Sequence, residues 1–361
     1  MTNLDIAQQR LHNQHIALPT FENPVEVVQW LGAVQAQDYA AAKWALGLRM
    51  QGATDDVIEQ AFDAGTILRT HVMRPTWHFV APADIRWLLA LTAPRVNAAA
   101  AYYYRVLGLD DAIFTRSNIA LAKALQGGKQ LTRPELMSVL QQAGIATDDL
   151  LRFTHIIMHA ELDGVICSGA RRGKQFTYAL LDERVPPART LDRDEALAEL
   201  TRRYFTSHGP ATLQDFVWWS GLTTTDARSG LEMVKSQFLH EIVDNQTYWF
   251  SSSLPPANGC SQAAYLLPNY DEYTVGYTDR SAAVDAARTK NLDPRSNVLL
   301  SHTIVIDGHV VGSWKRTLTK DAVIIAPHLL TPLNEAETRA FAAAVNRYGA
   351  FLGKPVTVVQ A

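Results

Sequence analysis

Hydrophobic and polar positions in the middle of the chain predict two helices followed by a hairpin. Thr132-Arg133-Pro134-Glu135 matches a capping box with proline in the first turn, and Gly144 ends the apolar stripe that follows. A second helix fits residues 148–162. Strand-like runs at 165–167 and 176–180 then enclose a turn-rich basic segment. Helix, turn, helix and basic hairpin together predict a winged helix.

A later stretch of the chain repeats this plan. A helix is predicted from Leu197 to Ser207, and Thr212-Leu213-Gln214-Asp215 caps another that ends near Gly221. Thr225 can open a third helix. Residues 242–250 predict a strand pair around an Asp-Asn turn, which gives a short, uncharged wing.

The N-terminal end of the chain repeats the plan loosely, whereas the C-terminal end has a different pattern. Helical patterns at 25–31 and 55–64 precede paired strands over 67–80, a looser copy of the same plan. Beyond Tyr265, the predicted elements are strands at 303–306 and 310–314 about an Asp307-Gly308 turn, and a helix from Glu335 to about Phe351.

These patterns predict a helix-rich α+β fold with three tandem winged-helix units and a C-terminal β-rich domain. Two proline-containing segments, 182–193 and 251–261, are predicted linkers. The predicted domains are 1–118, 119–187, 188–258 and 259–361.

Composition indicates an ordinary globular protein. The 361 residues, 47% of them hydrophobic, can bury two to four structural units. Lys and Arg total 33 against 36 acids, so any DNA-binding surface must be a local basic face. Met1 to Arg10 lacks the blocks of a signal peptide, and no apolar run reaches membrane-spanning length. The chain has only two cysteines, Cys167 and Cys260, so it is expected in a reducing cytoplasm. Because it lacks a membrane-spanning apolar run, no membrane partner is expected.

Two other motifs argue against cofactors. His155 and His159 share a helix face, but no third ligand is evident, so packing is expected and no metal site is predicted. Gly127-Gly128-Lys129 fails as a phosphate loop because Lys123 stands where glycine is required and Gln130 replaces Ser or Thr. Neither a metal nor a nucleotide cofactor is therefore expected.

Two glutamines provide the candidate chemistry. Gln35 and Gln37 flank Ala36, directly after an amphipathic segment that stops at Gly32. Residues two apart cannot share a helix face, but an extended or turn backbone points both side chains the same way. Two convergent amides can hold a water or a sugar, although they cannot strongly abstract a proton. The alternative interpretation is a solvent-exposed polar helix end.

Four ordered segments together resemble the winged-helix DNA glycosylases of the AlkZ and YcaQ type: Val34-Gln35-Ala36-Gln37, 68–78, Leu266-Leu267-Pro268-Asn269-Tyr270-Asp271-Glu272-Tyr273 and Val311-Gly312-Ser313-Trp314-Lys315-Arg316. The resemblance spans nearly the whole chain. It implies three tandem winged helices and a C-terminal β-rich domain that form a concave DNA-binding surface. It also implies excision of N7-alkylated guanines, including those in interstrand crosslinks, from double-stranded DNA.

The resemblance assigns catalysis to Gln35 and Gln37, with Asp38 as an electrostatic helper. The YcaQ-like branch has aspartate at the position of Gln37, whereas this chain carries Asp38 one place later. An N7-alkylguanine is already cationic and needs no general acid to depart, so two amides suffice to position a water. The expected enzyme is a monomeric, monofunctional glycosylase whose rate varies little between about pH 6 and 8. The alternative function is a non-catalytic winged-helix DNA-binding protein or transcriptional regulator.

Cations in the resembling segments are candidates for DNA contact, with surface ion pairs as the alternative: Arg69, Arg74, Lys315 and Arg316. The predicted wing tip adds Arg171, Arg172 and Lys174, for which the alternative is a solvated charged hairpin. Trp44 and Trp77 either stack on bases or fill a core. Acidic side chains would be unfavourable against phosphate, so structural pairing, with Arg280 as a candidate partner, is expected for Asp271, Glu272 and Asp279.

Overall fold

A computed structural model describes residues 1–251, 263–285, 293 and 297–359. Its helices are α1 Asn3–Asn13, α2 Pro24–Leu31, α3 Tyr39–Gly47, α4 Asp55–Ala64, α5 Ile85–Val106, α6 Asp111–Leu125, α7 Arg133–Gln142, α8 Leu150–Leu162, α9 Leu181–Arg184, α10 Arg193–Ser207, α11 Leu213–Ser220, α12 Thr224–Val234, α13 Glu272–Val275 and α14 Glu335–Leu352. No helix in these ranges is long and apolar enough to cross a membrane.

The strands are β1 Val34–Gln35, β2 Leu68–Val72, β3 Arg74–Val80, β4 Leu131–Thr132, β5 Ile166–Ser168, β6 Thr177–Leu180, β7 Phe238–Val243, β8 Gln246–Ser251, β9 Ala264–Leu267, β10 Thr303–Ile306, β11 His309–Leu318, β12 Val323–Leu329 and β13 Val356–Val358. Of the predicted linker at 251–261, only Ser251 lies within the described residues, and Cys260 lies outside them.

The chain forms two compact units. The first unit comprises Met1–Glu59, Ala198–Trp219 and Thr223–Ala361, and the second comprises Gln60–Leu197 and Ser220–Leu222. The four domain boundaries predicted from the sequence stay a prediction.

The second unit contains the predicted helix, turn, helix and hairpin. Thr132 and Glu135 form the predicted capping box at the start of α7, with the Thr132 N–H donating to Glu135 Oε2 at 2.6 Å. Strands β4, β6 and β5 form an antiparallel sheet in that order. Helices α6, α7 and α8 bury a shared apolar cluster that includes Phe114, Leu136 and Phe153. These element predictions are confirmed.

The elements predicted for the later copy are also present. The Asp215 N–H donates to Thr212 Oγ1 at 3.1 Å, which caps α11. The prediction that Thr225 opens the next helix is wrong by one residue, because α12 starts at Thr224 and the Thr223 hydroxyl caps it. Strands β7 and β8 pair around an Asp244-Asn245 turn in which both residues have positive φ.

The first unit is built on a five-stranded sheet in the order β13-β12-β11-β10-β9. Asp307 and Gly308 adopt φ of 51° and 87° in the predicted turn between β10 and β11. Trp44 and Trp314 both pack against the Tyr348 ring of α14, with centroids 5.0 and 5.1 Å from it. Trp44 is 1% exposed, which confirms its core interpretation.

Substituting Gly32 with alanine is expected to destabilise the protein. Gly32 ends α2 with φ +83°, and a Cβ there would lie 3.3 Å from Trp219 Cη2. L-residues are strained in this region, so Gly32→Ala should cost about 2–3 kcal/mol. Gly52→Ala is the matched control, because Gly52 has φ +60° but no atom within 4 Å of a built Cβ. Chemical denaturation that shows equal losses for the two variants would contradict the role of Trp219.

Candidate active site

The two candidate glutamines lie in the short connection between α2 and α3 of the first unit. Gly32 turns the chain out of α2, Val34–Gln35 is extended, and Asp38 is the N-cap of α3. The sequence-based expectation of extended or turn backbone is confirmed. The alternative of a polar helix end is wrong, because Gln35 and Gln37 are not helical.

The two amides differ in accessibility. Gln35 is 6% exposed, and its Oε1 accepts the backbone N–H of Gln37 at 3.2 Å. The Gln37 side chain is exposed to solvent. The expectation that both amides converge on a water is therefore not met by Gln35, whose oxygen accepts the Gln37 N–H and shapes the turn. Gln37 presents the accessible amide.

Asp38 combines a structural role with a partly accessible carboxylate. Its Oδ1 accepts the Ala41 N–H at 3.1 Å and so caps α3. Its Oδ2 accepts a bond of 3.4 Å from Asn269 Nδ2. Asp38 is half-buried beside the exposed Gln37. A negative charge is thereby held in place next to the accessible amide.

A buried carboxylate lies behind Gln35. Glu272 Oε1 accepts the backbone N–H of Gln35 at 2.9 Å. Its Oε2 accepts the Trp219 indole N–H at 2.8 Å and lies 3.3 Å from His208 Nε2. Burial lowers the pKa of His208 below its ordinary value, although Glu272 opposes that shift. The imidazole that faces Glu272 is therefore neutral near pH 7.

The expected structural pairing is confirmed for Asp271, whose partner is Arg49 rather than Arg280. The Arg280 Nε donates to the Thr274 carbonyl oxygen at 2.7 Å. Asp271 instead accepts two bonds of 2.9 Å from Arg49, and both side chains are fully buried. Nothing in the local sequence pairs Asp271 with a residue 222 positions away.

His302, which the sequence reasoning did not single out, lies near the candidate site. Its ring packs edge-on against Trp314 at 4.7 Å between centroids. Burial lowers the pKa of His302 to about 4, with a smaller contribution from Arg316, while Asp38 opposes the shift. Arg316 is half-buried and donates to the Tyr348 hydroxyl. The predicted DNA-contacting role of Arg316 therefore competes with an internal contact.

Arg69 is poorly placed to contact DNA. Its side chain is buried in the second unit, and its guanidinium lies 4.3 Å from the Trp77 ring centroid and 4.6 Å from that of Phe176. A cation held between two rings cannot reach a phosphate without leaving them. The expectation of a DNA-lining Arg69 does not hold in this structure. Arg74 and Trp77 are half-buried.

The remaining predicted cations differ in exposure. Arg171 is half-buried over Phe176, 4.9 Å from the ring centroid. Arg172 is exposed and pairs with Glu135 at 2.8 Å. Lys174, at the tip of the same hairpin, and Lys315, on β11 of the first unit, are both exposed. Arg172, Lys174 and Lys315 thus retain the access that phosphate contact requires.

The histidine pair on α8 has the packing role expected from the sequence. His159 stacks on Phe114 at 3.6 Å and lies 3.1 Å from Asp163. His155 stacks on Tyr103 at 5.2 Å. Within the described ranges, no group of three or more His, Cys, Asp or Glu residues could hold a metal ion.

Known proteins resemble this chain over nearly its full length. The AlkZ-like family model, described as DNA glycosylase AlkZ-like, matches residues 28–351. An interstrand DNA cross-link repair glycosylase of Streptomyces sahachiroi is 24% identical over 334 residues, which cover 88% of each chain. The solved Streptomyces sahachiroi DNA glycosylase AlkZ matches 99% of this chain and 100% of its own with a TM-score of 0.79 at 19% identity. This likeness shows a shared helix-rich α+β fold.

Proposed function

We propose, on the premise that this chain belongs to the AlkZ-like DNA glycosylase family, that it hydrolyses the N-glycosidic bond of cationic N7-alkylguanines in duplex DNA. Family membership makes the chain a DNA glycosylase, a hydrolase of N-glycosyl bonds. The similar protein of Streptomyces sahachiroi is named for interstrand crosslink repair, which supports including crosslinked guanines among the substrates.

The observation that carries this mechanism is an exposed neutral amide beside a held carboxylate. When the C1′–N9 bond breaks, its electron pair moves onto the guanine and cancels the positive charge of the N7-alkylated ring. No proton donor is required, unlike the usual hydrolysis of a glycosidic bond. Gln37 and Asp38 offer an acceptor and a negative charge, which are what an oxocarbenium-like sugar and an attacking water need.

In this mechanism, Gln37 Oε1 accepts a hydrogen bond from the water that attacks C1′. The proton released by that water passes to solvent, because an amide does not take it up. Gln35 acts from the buried side, since its Oε1 fixes the Gln37 backbone. Asp38 stabilises the positive charge that develops on the sugar.

For DNA binding, we propose that the helix-turn-helix elements form three tandem winged-helix units joined to the C-terminal β-rich domain. The helix and hairpin elements at 131–180 and 197–251 support this arrangement. Exposed Arg172 and Lys174 at the hairpin tip, and Lys315 on β11, would contact phosphates. We further propose that the chain acts as a monomer on double-stranded DNA, without a cofactor, in the cytoplasm.

The direct test is release of N7-methylguanine from methylated duplex DNA, measured against spontaneous depurination in the same buffer. A glycosylase releases free base and leaves abasic sites. A non-catalytic DNA-binding protein would instead show salt-dependent affinity and release no base. A duplex with a defined N7-guanine crosslink, resolved on a denaturing gel, tests whether crosslinks are substrates.

We expect the single-turnover rate of base release to change less than about two-fold between pH 6 and 8, because the proposed amides do not titrate. His302 stays neutral over this interval, since its pKa is lowered to about 4. Burial also lowers the pKa of His208, which likewise favours its neutral form. A pH series on methylated duplex, with DNA binding saturated at each pH, measures this. A slope approaching ten-fold per pH unit would assign catalysis to a titrating group instead.

A further inference from the structure

The structure contains a carboxylate that contacts the backbone of the candidate catalytic segment from inside the protein. Glu272 is fully buried in the first unit, at the start of α13. Its Oε1 accepts the Gln35 N–H, and its Oε2 accepts the Trp219 indole N–H. We propose that Glu272 is a positioning residue for Gln35 and Gln37, an inference that rests on the proposed function.

The contacts form a continuous chain from the core to the accessible amide. Glu272 holds the peptide N–H of Gln35 at 2.9 Å, and Gln35 Oε1 in turn holds the peptide N–H of Gln37 at 3.2 Å. The peptide N–H groups of both glutamines are thereby tied. Displacing a reacting group by about 1 Å can cost roughly 100-fold in rate, so such a brace affects catalysis without touching substrate.

His208 and Trp219 fix the position of the Glu272 carboxylate. The His208 ring stacks on Tyr204 at 4.8 Å, and its Nδ1 lies 2.8 Å from Ser207 Oγ. His208 Nε2 lies 3.3 Å from Glu272 Oε2, which also accepts the Trp219 N–H. Glu272 therefore serves at least two N–H donors through different oxygens. A carboxylate can do this, whereas a carboxamide has only one acceptor oxygen.

This difference in acceptor number defines the test. In Glu272→Gln, the amide oxygen can serve either Gln35 or Trp219, but its NH₂ group faces the other N–H as a second donor. We expect the single-turnover rate of N7-methylguanine release to fall about 10- to 100-fold. The Kd for methylated duplex should stay within about two-fold, because Glu272 is buried and does not reach DNA.

A double-mutant cycle separates positioning from general destabilisation. If Glu272 acts on Gln37 through the Gln35 side chain, which accepts the Gln37 N–H, that route is absent in Gln35→Ala. Glu272→Gln should then lower the rate of Gln35→Ala by no more than about two-fold. The proposal would be overturned if the double variant lost rate by the product of the two single losses. It would also be overturned if folded Glu272→Gln kept the wild-type rate. If Gln35→Ala releases base slowly while Glu272→Gln keeps the wild-type rate, only the positioning role of Glu272 is rejected. If Gln35→Ala keeps the wild-type rate, the proposed role of Gln35 is rejected.

A second variant keeps the proposal testable if Glu272→Gln does not fold. Trp219→Phe removes one donor to Oε2 while the acceptor of the Gln35 N–H remains. We expect a smaller rate loss, about three-fold or more, that again disappears in the Gln35→Ala background. Thermal unfolding of each variant identifies the folded fraction used in the rates. Full wild-type activity per folded Trp219→Phe molecule, or a loss that persists with Gln35→Ala, would overturn the proposal.

Discussion

Gln37→Ala should release N7-methylguanine about 100-fold or more slowly than the wild-type protein under single-turnover conditions. The substitution removes the exposed amide that holds the attacking water, and losing one such preorganised group typically costs 100- to 1,000-fold. Gln35→Ala should lower the rate by a similar factor, because Gln35 Oε1 shapes the backbone that carries Gln37. Free base is measured by chromatography after correction for spontaneous depurination.

The matched control for these variants is Gln29→Ala. Gln29 is an exposed glutamine on α2, in the same unit and close in sequence to the candidate segment. Its replacement should leave both the rate and the DNA affinity unchanged. Equal base release by wild type, Gln35→Ala and Gln37→Ala would end the mechanistic proposal, while leaving the family assignment intact.

Asp271→Asn is expected to destabilise the folded protein by about 3–5 kcal/mol, the usual effect of removing one partner of a buried ion pair. Asp271 and Arg49 are fully buried and joined by two bonds of 2.9 Å, so the variant leaves the Arg49 charge poorly compensated. The free energy of unfolding by urea measures the loss. Because asparagine keeps an oxygen that can accept the Tyr273 N–H, loss of that cap is not the expected cause.

An exposed ion pair supplies the comparison for Asp271→Asn. Glu335 and Arg339 lie 3.9 Å apart on α14, and both side chains are largely exposed. Glu335→Gln should leave the unfolding midpoint unchanged within measurement, because solvent screens such a pair. Similar midpoints for Asp271→Asn and Glu335→Gln would show that burial adds nothing to the Arg49–Asp271 interaction.

Local sequence signals predicted the elements that have strong caps and turns. The Thr132–Glu135 capping box, the Asp307-Gly308 turn and α14 all lie where the pattern placed them. The long helix α5 was not assigned, because Pro94 interrupts its pattern and its apolar residues are not confined to one stripe. Tertiary packing, rather than local propensity, maintains such a helix.

The candidate site was predicted in part. The spacing of Gln35 and Gln37 excluded a shared helix face, and the resemblance supplied their proposed role. The burial of Gln35 was not predictable, because Glu272, which contacts its backbone, is 237 residues away. Arg69 was expected to line the DNA face because it falls in one of the segments that resemble the family. Arg69 lies on β2, but its guanidinium contacts Trp77 on β3 and Phe176 directly before β6. A local sequence pattern cannot predict contacts between such separate segments.

The two indoles beside Tyr348 also donate to backbone carbonyls of the edge strand β9. Strand β9 is the outermost member of its sheet among the described strands, and an edge strand with open carbonyls can recruit another chain. Trp44 Nε1 donates to the Leu266 carbonyl at 2.7 Å, and Trp314 Nε1 donates to that of Leu267 at 2.9 Å. Carbonyls of successive strand residues point to opposite sides, so one of these two acceptors faces the open side of β9 and is already occupied by an indole N–H. A further strand would therefore find one backbone acceptor fewer at this edge.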